Sequence, residues 1–192
     1  MTENKLSTFE RVKLFNDAFG VKTFDTPQLD VFTKFPKLVE LRLSLIVEEV
    51  EELKEAVKNH DYGEVIDALA DIKYVIDGAA TSFGIDLDKA FDIVHESNMS
   101  KLCKTEEIAQ MTVRWYMEHD TRYDSPAYRL SDDGKYYIVF NRSSGKILKS
   151  VEYTETDFSE LIFPDKSTVT DYTHLARPCR RPNLPPQPPS SD

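Results

Sequence analysis

Residues 41–58 read LRLSLIVEEVEELKEAVK, and residues 63–80 read GEVIDALADIKYVIDGAA. At about 100° per residue, Leu43, Ile46, Val50, Leu53 and Val57 share one face of the first segment. Leu41, Leu45, Glu48 and Glu52 take roughly the opposite face, with Glu49 and Glu55 at its margins. A helix that is apolar on two sides in its first half is expected to be buried within a bundle. In the second segment Asp67, Asp71, Tyr74 and Gly78 form one stripe, with Val65, Leu69, Ile72, Ile76 and Ala80 filling much of the other side. Two long amphipathic helices in succession point to an all-α fold.

The flanking sequence agrees. Ser7 followed by Glu10 has the spacing of a capping box and predicts a helix over 7–20, stopped by Gly20. Residues 21–35, with Thr, Asp, Pro and scattered aromatics, read as a loop. Pro36 suits the first turn of a helix running to about Asn59. Asp61 caps the next, which runs to about Phe83 and stops at Gly84. Residues 86–101 and 105–118 give a fourth and a fifth helix. The texture then changes: residues 127–153 carry aromatic and β-branched runs broken by Asp-Gly and Ser-Ser-Gly, which predicts a small antiparallel hairpin. From Pro178 the chain is proline-rich and reads as a disordered or polyproline tail. The expected organisation is a four- to five-helix bundle over 1–104, a helix-plus-hairpin extension over 105–176, and the tail over 177–192.

Composition excludes several classes. The chain has 192 residues and a formal net charge of −10. A negative field repels phosphate backbones, so nucleic-acid binding is not expected. No run of about 18 apolar residues offers a membrane span, and the N-terminus lacks a signal-peptide core. A cytoplasmic protein is the expectation. Cys103 and Cys179 lie far apart and read as free thiols.

The acids carry the chemistry. Seen alone, a Glu-rich segment is a solvated face, and Lys54 and Lys58 stand at helical spacing to pair with some of it. The second helix changes the balance. Asp67 and Asp71 sit mid-helix, where aspartate is a poor helix former, and such local inconsistencies mark function. Carboxylates gathered between helices repel one another unless a hard cation such as Mg²⁺ neutralises them.

At these residues the chain resembles the all-α nucleoside triphosphate pyrophosphohydrolase superfamily, which includes the MazG-like enzymes, phosphoribosyl-ATP pyrophosphohydrolase and dimeric dUTPase-type enzymes. The shared pattern is E-E-x-x-E on one helix and E-x-x-D on the next. Glu48, Glu49 and Glu52 match the first part, and Asp71 matches the last acid of the second. The stretch from Ala68 to Lys101 is similar to the MazG-like dUTPase branch through Tyr74, Gly78, Gly84, Ile85, Asp86, His95, Asn98, Ser100 and Lys101. One departure stands out: Ala68 occupies the place of the expected glutamate, and Asp67 lies one residue earlier.

The resemblance implies cleavage between the α and β phosphates of a nucleoside triphosphate, with dUTP nearest and dCTP, a modified nucleotide or phosphoribosyl-ATP as alternatives. It implies a Mg²⁺ site, with Mn²⁺ as a substitute, built from Glu48, Glu49, Glu52, Asp67 and Asp71. Glu48 or Glu49 would activate water. Arg42, Tyr74, Asn98 and Lys101 would contact the substrate. A homodimer is expected ahead of a tetramer. Two other readings stay open, a nucleotide-binding protein without turnover, which Ala68 favours, and a plain helical assembly module.

Overall fold

Local chemistry sets the helix ends. In the computed structural model, which describes residues 6–163, Ser7 caps α1 (Thr8–Ala18) with a complete capping box. Its hydroxyl accepts from the Glu10 amide, and the Glu10 carboxylate accepts from the Ser7 amide at 2.7 Å. After α2 (Val31–Lys34), Pro36 occupies the first position of α3 (Pro36–Lys58). Here its missing N–H costs nothing. Asp61 accepts from the Gly63 and Glu64 amides to open α4 (Tyr62–Phe83). α5 (Leu87–Met99) follows, then α6 (Glu106–His119), which starts at Thr105 as its hydroxyl accepts from the Ile108 amide. β1 (Pro126–Leu130) and β2 (Tyr137–Asn141) form an antiparallel pair with Tyr128 opposite Val139. A short α7 (Ser159–Ile162) ends the described chain.

The fold is all-α with a small hairpin, as expected. The four-residue helices α2 and α7 are additions, and α2 interrupts the stretch that reads as a loop. A single turn shows no periodicity to read. The proline-rich stretch and Cys179 lie outside the described residues.

The described residues form two compact units, 6–91 with 158–163, and 92–157. The division falls inside α5, whereas the sequence places its boundary after residue 104. In the first unit α3 packs chiefly on α4, and α4 also on α1. The seam is partly polar. Asn16 donates to Thr81 Oγ1 at 2.9 Å, and Arg42 Nε donates to Ser82 Oγ at 2.8 Å. Asp77, only 1% exposed, pairs with Lys73 at 3.0 Å.

One expectation about α3 needs correction. It is not buried on both sides, because Leu41, Leu43, Val47 and Val57 are each half or more exposed. Within the first unit α3 packs on α4 and, more lightly, on α2, which cover one side. On α4, Ile66 and Leu69 are exposed as well.

In the second unit Cys103, Ala109, Tyr116, Val139 and Leu148 form the core, with Trp115 packed against it. Cys103 exchanges backbone hydrogen bonds with Tyr137. Cys103 is a free thiol, as expected. Trp115 and Tyr116 of α6 meet edge to face at 5.1 Å.

Gly84 closes α4 in the left-handed region at φ 72°, and a Cβ there would stand 1.9 Å from the Thr26 carbonyl oxygen. Gly134 has φ 71° but open space around it. Gly84→Ala should therefore lose about 2 kcal/mol or more, from backbone strain plus overpacking. Gly134→Ala should lose only the conformational part, about 1 kcal/mol. Urea unfolding of the two variants beside the parent checks the difference.

Candidate active site

α3 and α4 are joined by the tight Asn59, His60, Asp61 turn and run back along each other as a helical hairpin. The pairing level is visible at Gly78, where a Cβ would meet the Arg42 guanidinium at 3.3 Å. Glu49 lies seven residues after Arg42, and Asp71 seven before Gly78. Two helical turns in opposite senses bring those two acids to one level of the seam.

Ion pairing sorts the acids of α3 into two kinds. Glu51 pairs with Lys54 at 2.7 Å and Glu55 with Lys58 at 3.1 Å, all four exposed. These are the solvated-face pairs, worth a few tenths of a kcal/mol each. Glu48, Glu49 and Glu52 have no cationic partner among the described residues, and neither do Asp67 and Asp71. The acids singled out by sequence are thus unpaired.

Glu49 is the centre of this set. Its Oε2 is buried and has no hydrogen-bond partner. Burial pushes its carboxyl above its ordinary value of 4.5, and the charges of Glu52, Asp71, Glu48 and Asp67 push it further, in that order. All five acids therefore share one field. Asp67 contributes least. Ala68, where the family pattern has glutamate, is 4% exposed and faces the packed side of α4, while Asp67 and Asp71 are exposed.

Among the described residues, no three of these groups stand close enough together to form a finished cation cage. Like charges hold four exposed carboxylates apart until something neutralises them. The donor set itself fits a hard divalent cation. It is all carboxylate oxygen, and one buried oxygen lacks any proton donor.

The expected substrate contacts fall in different places. Arg42 is 6% exposed, its Nε is spent on Ser82, and one guanidinium nitrogen is buried without a partner. Burial lowers its pKa. It is thus an interior residue of the seam, not a surface cation. Tyr74 is 40% exposed and meets Phe15 edge to face at 5.6 Å. Asn98 and Lys101 belong to the second unit, where Lys101 Nζ donates to Asn98 Oδ1 at 2.6 Å. The sequence did not reveal that Asn16, Thr81 and Ser82 form a polar floor beside Arg42. The signal was there in part: Asn16 lies one turn from buried Val12 on α1.

This hairpin, with unpaired acids gathered about the half-buried Glu49, carries the acid set expected of a pyrophosphohydrolase, a hydrolase acting on acid anhydrides. Residues 12–98 match the model of the phosphoribosyl-ATP pyrophosphohydrolase family, so this segment is similar to the MazG-like, all-α nucleoside triphosphate pyrophosphohydrolases. It is also similar to an uncharacterized protein, L479, of Acanthamoeba polyphaga mimivirus, at 28% identity over 243 residues, covering 82% of this chain and 96% of that protein. Enzymes of the superfamily generally use divalent metals. No helix among the described residues is long and apolar enough to cross a membrane.

The sign of the pH dependence follows from Glu49. A carboxyl whose pKa is raised by folding binds more protons folded than unfolded. In chelator, stability should fall as pH climbs from 4.5 through the raised value, and then level off. Glu49→Gln should remove that fall. Mg²⁺ at about 100 times its Kd should add roughly 2.7 kcal/mol to the parent, and much less to Glu49→Gln. Thermal melts across pH, with EDTA or Mg²⁺, read all three outcomes.

Proposed function

We propose that this chain is a Mg²⁺-dependent nucleoside triphosphate pyrophosphohydrolase with dUTP as its preferred substrate, releasing dUMP and pyrophosphate. The observation that carries the reading is Glu49, whose Oε2 is shielded from water without a donor and whose charge is coupled to those of Glu48, Glu52, Asp71 and Asp67. Mn²⁺ should substitute for Mg²⁺.

The roles follow from position. Glu52, Asp71 and Asp67 are exposed oxygen donors that would hold the cation together with Glu48 and Glu49, and Asp67 contributes least. Such a cation neutralises the triphosphate and lowers the pKa of bound water. Glu49, at the centre of the acidic set, is the proposed general base. It accepts the proton of the attacking water, with Glu48 beside it as the second candidate. The water oxygen bonds to the α phosphorus, and the bond from that phosphorus to the bridging oxygen of the β phosphate breaks. Pyrophosphate leaves with the electron pair. Tyr74, exposed on the acidic stripe, is suited to pack against the nucleotide. Arg42, two turns along α3 from Glu49, is the proposed phosphate contact from the interior of the seam. Asn98 and Lys101, already joined by a hydrogen bond, are the other proposed substrate contacts.

The match to the phosphoribosyl-ATP pyrophosphohydrolase family favours a second reading of the substrate. The same α–β cleavage would then act on phosphoribosyl-ATP. Tested with Mg²⁺, dUTP should be cleaved faster than dCTP, ATP or phosphoribosyl-ATP. Glu49→Gln and Asp71→Asn should each lower kcat by about 10²-fold or more. Asp67→Asn should cost less, since its charge couples least to Glu49. Failure to release pyrophosphate from any of the four would leave the alternatives of binding without turnover or plain assembly.

We also propose a homodimer. The exposed Leu43 and Val47 on α3, and Ile66 and Leu69 on α4, leave apolar surface on the hairpin that a second copy would cover. Sedimentation should give a dimer, and Leu43→Glu with Val47→Glu should shift it toward monomer.

A further inference from the structure

The second unit contains a cavity of about 520 Å³ that none of the acids serves. It is within the range of small-molecule sites. Its lining is of three kinds. Met99 and Leu102 supply apolar surface, Ser100 and Thr154 a polar wall, and Lys104, Tyr136 and Glu152 the groups able to recognise a ligand. The wall is fixed: Ser100 Oγ donates to the Ser97 carbonyl at 2.7 Å and accepts from the Thr154 amide at 2.9 Å.

The three recognition groups are unspent. Lys104 and Glu152 line one cavity yet form no ion pair with each other or with any described residue. The Tyr136 hydroxyl has no partner either, since only its backbone is engaged. One cation balanced by one anion does not attract a free phosphate. A matching ligand is neutral and planar, with an N–H donor for the carboxylate, a carbonyl acceptor for the ammonium, and a face for the aromatic ring. A nucleobase carrying both N–H and C=O has this chemistry. Uracil, cytosine and guanine qualify, and adenine, lacking a carbonyl, does not.

We propose that this cavity is a nucleobase-binding site, in which Tyr136 stacks on the base, Glu152 accepts from its N–H and Lys104 donates to its carbonyl. The proposal rests on the nucleotide-directed reading above, and its residues lie beyond the segment that matches the family.

The test uses the full-length protein and nucleosides without phosphate. Deoxyuridine, titrated by calorimetry in EDTA, should bind, and deoxyadenosine should bind at least tenfold more weakly. Tyr136→Ala and Glu152→Gln should each weaken deoxyuridine about tenfold, while Glu49→Gln leaves it unchanged. Lys104→Met, at an exposed position, provides a second probe of the carbonyl contact and should also weaken it. Unchanged affinity in all three cavity variants, equal binding of deoxyadenosine, or no nucleoside binding would overturn the proposal. These outcomes are separate from pyrophosphate release. Turnover without a response in the cavity variants refutes the base site alone, and cavity binding without turnover refutes the hydrolase reading alone.

Discussion

The constraint on which this structure turns is a carboxylate oxygen buried with nothing to hydrogen-bond it. Glu49 Oε2 has no donor, and four further acids raise the cost of its charge. An oxygen shielded from water without a donor loses solvation, and here like charges add to that cost. The cost falls when a cation enters, and it falls most if the acids come from rigid elements. α3 and α4 supply that rigidity. Their ends are fixed by Pro36 and Asp61 at the N-termini and Gly84 at the far side, so Glu48, Glu49 and Glu52 face Asp67 and Asp71 across one short hairpin. Hairpin geometry and chemistry are thus one requirement.

The seam also explains why Arg42 is interior. Gly78 leaves room for its guanidinium, and Ser82 takes one of its protons. This positive charge stands two turns along α3 from Glu49 and pairs with none of the acids. Were it bonded to a carboxylate, that acid would be lost to a cation. Keeping it apart leaves the acids free, at the expense of a buried nitrogen without a partner.

How much could be read in advance depended on the range of the signal. Helix ends were legible, because Ser7, Pro36, Asp61, Gly84 and Thr105 act on their immediate neighbours. The candidate acids were legible as a pattern, but their sorting was not. Only the structure shows that Glu51 and Glu55 are spent on lysines while Glu48 and Glu52 are not. The two-sided apolar character of α3 was read correctly from periodicity, yet its burial was misjudged. Periodicity says which residues avoid water and not which chain covers them. The Lys104, Tyr136 and Glu152 constellation could not be read at all. Its members are separated by up to 48 positions and brought together only by the fold of the second unit.

The departure at position 68 bears on this balance. Ala68 is packed into the buried side of α4, so a glutamate there would bury another charge unless a cation met it. Asp67, one residue earlier, keeps its carboxylate at the surface and couples only weakly to Glu49. Moving the acid by one position therefore lowers the repulsion that the folded chain must bear without metal. It also withdraws one donor from the interior of the cluster. For the proposed cation site, the stability of the metal-free hairpin and the number of interior donors are set against each other at these two residues.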